Sequence, residues 1–247
     1  MSLLITGLYG EAPEPAPTVV DWATGDIDTI KTMLANAKAG TLDISTVWAI
    51  GQGRVVNYTN TSTTGSANSE WVLTDFAHST SGGTAYTAWI HTKALLSTSQ
   101  KMNSSDTNAG GWNQCACRKN VMPNIYNAIP SDFRSMLINA AHIASAGSQS
   151  TSNQTDTYYL TLHSEKEVQG DKYYATNNEN NACRHLVYFQ TASNKVKTGN
   201  GGSYSGYWWL RSPYATYSLN FCCVRTDGSA NIGYASIAIG LAVAAII

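Results

Sequence analysis

Apolar residues recur at three- and four-residue spacing over Ile27, Ile30, Met33, Leu34 and Ala37, the period of one buried helix face. Thr24 or Asp26 can cap its start, Lys38 lies in its last turn and Gly40 comes next, so the pattern predicts a helix from about Asp26 to Ala39. The period then changes. Val47–Ile50 and Arg54–Tyr58, separated by Gly51-Gln52-Gly53, read as strand, turn and strand. Trp71–Phe76 and Ala85–His91, separated by Ser81-Gly82-Gly83, continue the strand pattern. Asn103–Asn113 is polar and glycine-rich, a loop; Gln114–Tyr126 has helical spacing that Pro123 disturbs; Ile129–Ile138 predicts a second short helix capped by Ser131 or Asp132.

In the second half the apolar runs shorten and the polar stretches lengthen. Ser145–Thr157, Tyr173–Asn181 and Thr191–Ser205 read as loops. Between them stand a strand at Tyr158–His163, a turn or short helix from Ser164 to Val168 and an aromatic segment at Leu186–Phe189. Loops of this length are uncommon unless they serve a purpose. Before the first helix, Pro13, Pro15 and Pro17 alternate with Ala and Glu, which predicts an extended connector over residues 1–21 that tethers the domain to another body, such as a partner subunit. Residues 22–247 form the domain itself.

Composition narrows the function classes. The 247 residues are 43% hydrophobic, enough to fill a core, but only 13% charged, about half the usual quarter. A formal charge of −1, with no run of Lys or Arg, supplies no footprint for phosphate backbones or anionic membranes, so nucleic acid is excluded as a partner. The start of the chain has no basic, apolar leader. The apolar end, Ala235–Ile247, is short of the roughly 20 residues a spanning helix needs, so no membrane insertion is expected.

No catalytic constellation emerges. Five cysteines are too sparse for a disulfide scaffold; Cys115-x-Cys117 has neither zinc-knuckle nor redox spacing, and adjacent Cys222-Cys223 closes only a strained ring. Cys115, Cys117, Cys183, Cys222 and Cys223 therefore read as buried or loop thiols. The histidines (His78, His91, His142, His163, His185) lack metal-ligand spacing and read as surface or half-buried side chains. Glu165 and Glu167 would diverge on a helix, and Asp227 has no acidic neighbour. No cofactor and no metal are expected, and the chain is read as a non-enzyme.

Gly202–Asp227 is where large apolar area concentrates. Trp208-Trp209-Leu210-Arg211-Ser212-Pro213 puts two indoles and one cation before a break, followed by Phe221-Cys222-Cys223-Val224, the Asp227-Gly228 turn and the terminus from Gly240. These motifs resemble a large group of phage and gut-bacterial proteins that is similar to the variable proteins of diversity-generating retroelements. Further matches lie, in order, at Trp22–Asp26 with Trp48–Gly51, at Asp106–Trp112 (DTNAGGW), at Ala128–Asp132 and at Leu162–Val168. One departure stands at the end, where Val243 and Ala245 occupy the places of a usual Pro and Phe.

The resemblance implies an α+β, C-type-lectin-like domain with short strands, two to three helices and long loops, related to the formylglycine-generating enzymes. It implies a scaffold of Trp208, Trp209, Arg211 and Phe221, with Arg211 fixing a loop through carbonyls or a carboxylate, and a variable region over residues 207–239. The expected ligand-contacting residues are Tyr207, Tyr214, Thr216, Tyr217, Leu219, Asn220, Cys223, Arg225, Asn231, Ile232, Tyr234, Ile237 and Ile239, sharing one exposed face, with Phe221, Cys222, Val224 and Leu241–Ile247 behind it. Ile237 and Ile239 also continue the odd-numbered apolar period of Leu241 and Val243, which reads equally as strand core. Adenine-directed diversification yields residue types such as these, and so does an ordinary loop. A surface of Tyr with Ser, Gly and Asn has the chemistry of an antibody paratope.

The function implied is a non-catalytic, hypervariable receptor-binding protein at a phage tail-fibre tip, contacting a host-surface protein or glycan and joined to other virion proteins through its N-terminus. The resemblance leaves room for a homo-oligomer. The alternatives are a bacterial surface or secreted adhesin of the same fold and, from another class, a formylglycine-generating-type oxidase. The Glu-Pro-Asn or Gln-Pro-Asp triplet of calcium-dependent sugar-binding lectins does not occur.

Overall fold

The computed structural model describes residues 16–59, 63, 68–76, 88–199 and 204–247. Helix α1 (Ile27–Lys38) starts where Asp26, in extended conformation, accepts the Thr29 amide at 2.8 Å. It ends at Ala39, with Gly40 at φ 76 turning the chain away. Ile30, Met33 and Ala37 are its buried face. They meet a cluster of Trp22, Trp48, Trp71 and Phe133. Each of those three indoles finds a partner, Trp22 on the Trp71 carbonyl, Trp48 on the Val20 carbonyl and Trp71 on the Tyr58 hydroxyl.

The main sheet is antiparallel, with strands β1 (Gly53–Asn57), β2 (Asn68–Phe76), β3 (Ala88–Thr92), β6 (Leu160–Thr161) and β10 (Ala244–Ile246) in the order β1-β2-β3-β10-β6. Both of its faces are covered. Trp71, Leu73, Ile90, Val243 and Ala245 point into one hydrophobic cluster, while Val72, Trp89, Ala244 and Ile246 point into a second, the period-two alternation of a strand buried on both sides. β4 (Ala140–Ser145) pairs with β5 (Asn153–Tyr158), and β7 (Trp208–Pro213), β8 (Asn220–Val224) and β9 (Ala230–Tyr234) form a third antiparallel sheet. The α+β class is therefore established. No helix among the described residues is long and apolar enough to cross a membrane.

Several sequence expectations are corrected. Instead of two to three helices, the described residues hold six α-helical segments: α1, α2 (Gly111–Gln114), α3 (Met122–Ala128), α4 (Ser131–Arg134), α5 (Glu165–Gln169) and α6 (Asn177–Ala182). All but α1 are too short to leave a periodic signal. Val47–Ile50 is not a strand: Asp43 caps a 3-10 turn at Ile44–Thr46, and the Trp48 indole ties the chain just after that turn to the Val20 carbonyl. Gln114–Tyr126 is not one regular helix: α2 ends at Gln114, and a π-helical turn at Cys117–Val121 runs directly into α3, where Pro123, with no N–H to donate, stands in the first α-helical turn. Pro130, not Ser131 or Asp132, holds the cap position of α4.

The last five residues of the expected Ser145–Thr157 loop belong to β5, whose polar exposed positions imitate loop composition, and Ser145 ends β4. Tyr158 ends β5 while Leu160 and Thr161 belong to the main sheet, so Tyr158–His163 is not one strand. The expected Tyr173–Asn181 loop contains most of α6, capped by the Thr176 hydroxyl. The domain begins before residue 22, since the Val20 carbonyl and side chain already pack against the core. Most of the Pro-rich connector (residues 1–15), Ser81-Gly82-Gly83 and the first residues of the Ala85–His91 strand lie outside the described residues. His91, His142 and His163 are buried, not half-exposed, because they sit on strands or strand ends enclosed on both faces.

Candidate functional site

Strand β7 carries the Trp-Trp pair on a sheet with two covered faces. Trp209, Phe221 and Cys223 join the first hydrophobic cluster; Trp208, Leu210, Cys222 and Val224 join the second. Both indoles are fully buried and both are satisfied, Trp208 Nε1 on the Lys195 carbonyl at 3.0 Å and Trp209 Nε1 on the Gln100 carbonyl at 2.8 Å. The register of β7 against β8 shifts between Trp209 and Pro213, and the Arg211 amide turns instead to the His163 carbonyl.

That shift carries the Arg211 side chain into a buried polar network. Its guanidinium donates to the carbonyls of Ile143 and Leu162, both at 2.8 Å, and to both carboxylate oxygens of Glu167. Burial alone would raise Glu167, yet Arg211 and His163 beside it hold its carboxyl well below the usual range. Ser212 continues the network, its hydroxyl accepting the Glu165 amide and donating to Glu179. Burial pushes Glu179 up to about 7 against the pull of Ser212, Arg211 and the Ser145 amide. Glu165 Oε2 accepts the amides of Tyr173, Tyr174 and Ala175 at 2.8–2.9 Å. As expected, Glu165 and Glu167 diverge.

Beyond Pro213 the chain makes a loop, Tyr214–Leu219, before re-entering the sheet as β8. Asn108, fully buried, holds it. The Asn108 carboxamide donates to the carbonyls of Tyr214, Tyr217 and Asn220, its Oδ1 accepts the Ser148 amide at 2.7 Å, and its own amide donates to the Ser218 carbonyl at 2.7 Å. Gln149 Nε2 takes the Thr216 carbonyl, and the Ala235 amide takes that of Leu219. The loop backbone is thus tied to residues outside it, leaving its side chains free of that duty. Gly147, at φ 70, permits the approach: a Cβ there would stand 1.8 Å from the Asn108 carbonyl oxygen.

Over this loop and the β8–β9 hairpin opens a cavity of about 490 Å³. Ten of the thirteen expected contact residues line it: Tyr207, Tyr214, Tyr217, Asn220, Cys223, Asn231, Ile232, Tyr234, Ile237 and Ile239, joined by Tyr204 and Gly233. Thr216, Leu219 and Arg225 are exposed but stand outside the lining. The single exposed face is corrected in three places. Asn220, Cys223 and Ile239 are 6%, 1% and 0% exposed and form the floor, because Asn220 and Cys223 lie in the central strand β8 and Ile239 bridges to Gln100 against the core. Ile237 is half-buried and packs against the same cluster. Tyr217 and Tyr234 are 59% and 51% exposed, and Tyr214 is half-buried. Phe221, Cys222, Val224 and Leu241–Ile247 are buried behind.

The rings at the cavity are organised. Tyr214 stacks on Tyr217 (6.2 Å, 12°) and meets Tyr174 edge-on (5.5 Å, 86°); Tyr204 meets Tyr207 edge-on (5.8 Å, 68°). Gly233 makes room for the floor, since a Cβ there would stand 2.8 Å from the Trp209 ring. No lining side chain is charged; Arg225, at the margin, donates to Asn231 Oδ1 at 3.3 Å. The residues that sequence reasoning missed are Tyr204, Gly233 and above all Asn108. Its signal was the Asp106–Trp112 stretch, which carries the resemblance but gives no sign of the three carbonyls one carboxamide can serve.

Away from the cavity, His91 and His163 lie ring to ring at 5.3 Å, and buried Lys197 reaches His91 Nε2 at 2.9 Å. Burial, then the Lys93 charge, holds Lys197 well below its usual range, and burial lowers both histidines. The five cysteines are free thiols. Burial pushes Cys115, Cys183 and Cys223 up to about 12 and Cys117 and Cys222 well above their usual range, so all five are protonated at neutral pH.

No curated protein and no solved structure matches the chain. A family model described as a domain of unknown function, DUF6273, matches residues 68–247, a span that contains the cavity, Asn108 and the whole Trp-Trp strand. The match covers well over half of the chain, and the chain belongs to the DUF6273 family.

Proposed function

We propose that this protein is a non-catalytic ligand-binding protein of C-type-lectin-like architecture whose contact residues are diversified on a fixed scaffold, as in the variable proteins of diversity-generating retroelements. One observation carries the reading. Residues spread from Tyr207 to Ile239, chosen for their chemistry and their resemblance, meet around one cavity, while the backbone beneath them is fastened by groups outside the set. Such a division lets Tyr214 and Tyr217 on the loop, and Asn231 and Tyr234 on β9, change identity without altering the backbone that presents them. The lining of rigid, amphipathic tyrosines with neutral carboxamides is the chemistry by which paratopes bind. The setting we propose is the tip of a phage tail fibre, with a host-surface molecule as the ligand; a bacterial surface or secreted adhesin would use the same cavity.

The decisive observation is genetic. Sequencing downstream of the gene should find a near-copy of the segment encoding residues 207–239, differing at adenines and lying beside a reverse transcriptase gene. A locus with no such repeat removes the diversification reading. Binding by the cavity would then rest on mutagenesis alone.

A further inference from the structure

We infer that the cavity takes a neutral saccharide, an inference that rests on the ligand-binding reading above and assigns its ligand class. The first ground is the hydrogen-bonding state of the walls. Among the described residues none of the hydroxyls of Tyr204, Tyr207, Tyr214, Tyr217 and Tyr234 has a protein partner. The Asn220 carboxamide, on a residue 6% exposed, is likewise unpartnered yet remains accessible. Each of these groups is a neutral donor and acceptor. A hydrocarbon ligand would strip their water without replacement, which costs more than the apolar contact returns.

The second ground is charge. An anionic ligand in a concave site needs a fixed cation, best a forked guanidinium. Here the lining holds none, and Arg225 stands at the margin, already turned to Asn231. A cationic ligand would find ring faces but no counter-charge, because no Asp or Glu lines the cavity and the unpartnered tyrosine hydroxyls would go unused.

The third ground is shape. About 490 Å³ lies within the roughly 300–1,000 Å³ range of small-ligand sites, whereas a protein partner needs about 800 Å² of fitted surface on each side. Ring faces carry partial negative charge and favour polarised C–H groups lying on them. A ligand that is uncharged, dense in hydroxyls and faced with C–H on one side answers all three demands, and a pyranose has that chemistry.

The full chain, fluorescently labelled, would be applied to immobilised neutral glycans (galactosides, glucosides, mannosides, N-acetylhexosaminides), to their uronic and sialic acid counterparts, and to a parallel array of proteins. Retention on a neutral glycan is expected. It should be displaced by the free sugar and weakened tenfold or more by Tyr217→Ala and by Tyr234→Ala, two exposed positions whose replacement leaves the thermal midpoint unchanged. Retention on acidic glycans alone, or on none, overturns the saccharide assignment. A tyrosine-dependent signal on the protein array with no neutral glycan retained also overturns it, but leaves the ligand-binding reading standing. Binding on either array that is indifferent to Tyr214→Ala, Tyr217→Ala and Tyr234→Ala together removes both.

Discussion

Asn108 and Asn220 lie 112 positions apart in sequence, and the carboxamide of the first donates to the carbonyl of the second at 2.8 Å. The same nitrogen reaches the Tyr217 carbonyl at 2.9 Å and the Tyr214 carbonyl at 3.3 Å. Asn108→Ala should strip the Tyr214 and Tyr217 carbonyls of their donor and the Ser148 amide of its acceptor, and cost about 2–3 kcal/mol in chemical denaturation. Asn108→Asp should cost more, because a carboxylate faces carbonyl oxygens. Either should also weaken ligand binding, since the loop loses its fastening; full binding in the Ala variant would show that the loop is held without it.

The floor is expected to be as sensitive as any core. Trp208→Ala and Trp209→Ala should each destabilise by about 3–5 kcal/mol through the cavity they leave. Gly233→Ala drives a methyl into the Trp209 ring and should cost about 1–3 kcal/mol. Unchanged thermal midpoints in both Trp variants would remove their scaffold role.

On the rim the expectation reverses. Replacing Tyr217 and Tyr234 by Ser should cost under about 0.5 kcal/mol each. Tyr214 should cost about 1 kcal/mol, because it is held between Tyr217 and Tyr174. The triple variant should retain a different ligand, or none, on the arrays while staying folded, at a total cost of about 2 kcal/mol or less. A variant that unfolds instead would mean that the rim is structural.

Two buried glutamates should respond to pH in opposite senses. Glu179, raised from its ordinary 4.5 to about 7, favours the folded state while it keeps its proton. Its contribution is fully present below pH 4.5 and is lost as pH rises through about 7, a decline of about 3 kcal/mol. Glu179→Gln keeps the neutral shape and should be more stable than wild type at pH 8.5 but not at pH 4. Glu167 is depressed by Arg211, so its contribution is present above the ordinary carboxylate value and lost as pH falls through its folded value. Glu167→Gln should cost about 3–5 kcal/mol at pH 7, since Arg211 is left buried without its counter-charge. Thermal midpoints from pH 4 to 9 separate the two.

The thiols should be silent in the folded protein. With burial pushing Cys115, Cys183 and Cys223 up to about 12 and Cys117 and Cys222 well above their usual range, a thiol-specific reagent at pH 8 should label all five only after denaturation. Replacing every cysteine but Cys223 by Ser should leave ligand binding intact. Rapid labelling of the native protein would point to a reactive cysteine and revive the oxidase alternative.

What the sequence made legible was whatever rests on local period or cap chemistry. α1 announced itself through Asp26, its apolar face and Gly40, and the Ser164–Val168 turn became a helix closed by a capping box between Ser164 and Glu167. Tyr207, Tyr214, Tyr217 and Tyr234 of the cavity were found because their residue types suit a contact surface. β5 was missed because an exposed strand of Asn, Gln, Thr and Asp is locally indistinguishable from a loop. α6, six residues long, is fixed by Thr176 and tertiary packing rather than by its own period. The burial of His91 and His163 was hidden for a similar reason, since only the assembled sheet shows that strand β3 has no solvent face.

The placing of β10 between β3 and β6 governs how the molecule can be made. Ala245 pairs with Ile90 on one side and with Leu160 on the other, so the two sides of the sheet are joined by the last of the described strands to be synthesised. A nascent chain that has reached Leu241 already carries the other nine described strands, yet its main sheet is still only β1-β2-β3 with the edge of β3 unpaired, and β6 stands apart without a partner strand. Its contacts are long-range, and folding should be slow for a domain of this size. Until the final strand arrives, those open edges are the places where a partly made chain is most exposed to pairing with its neighbours.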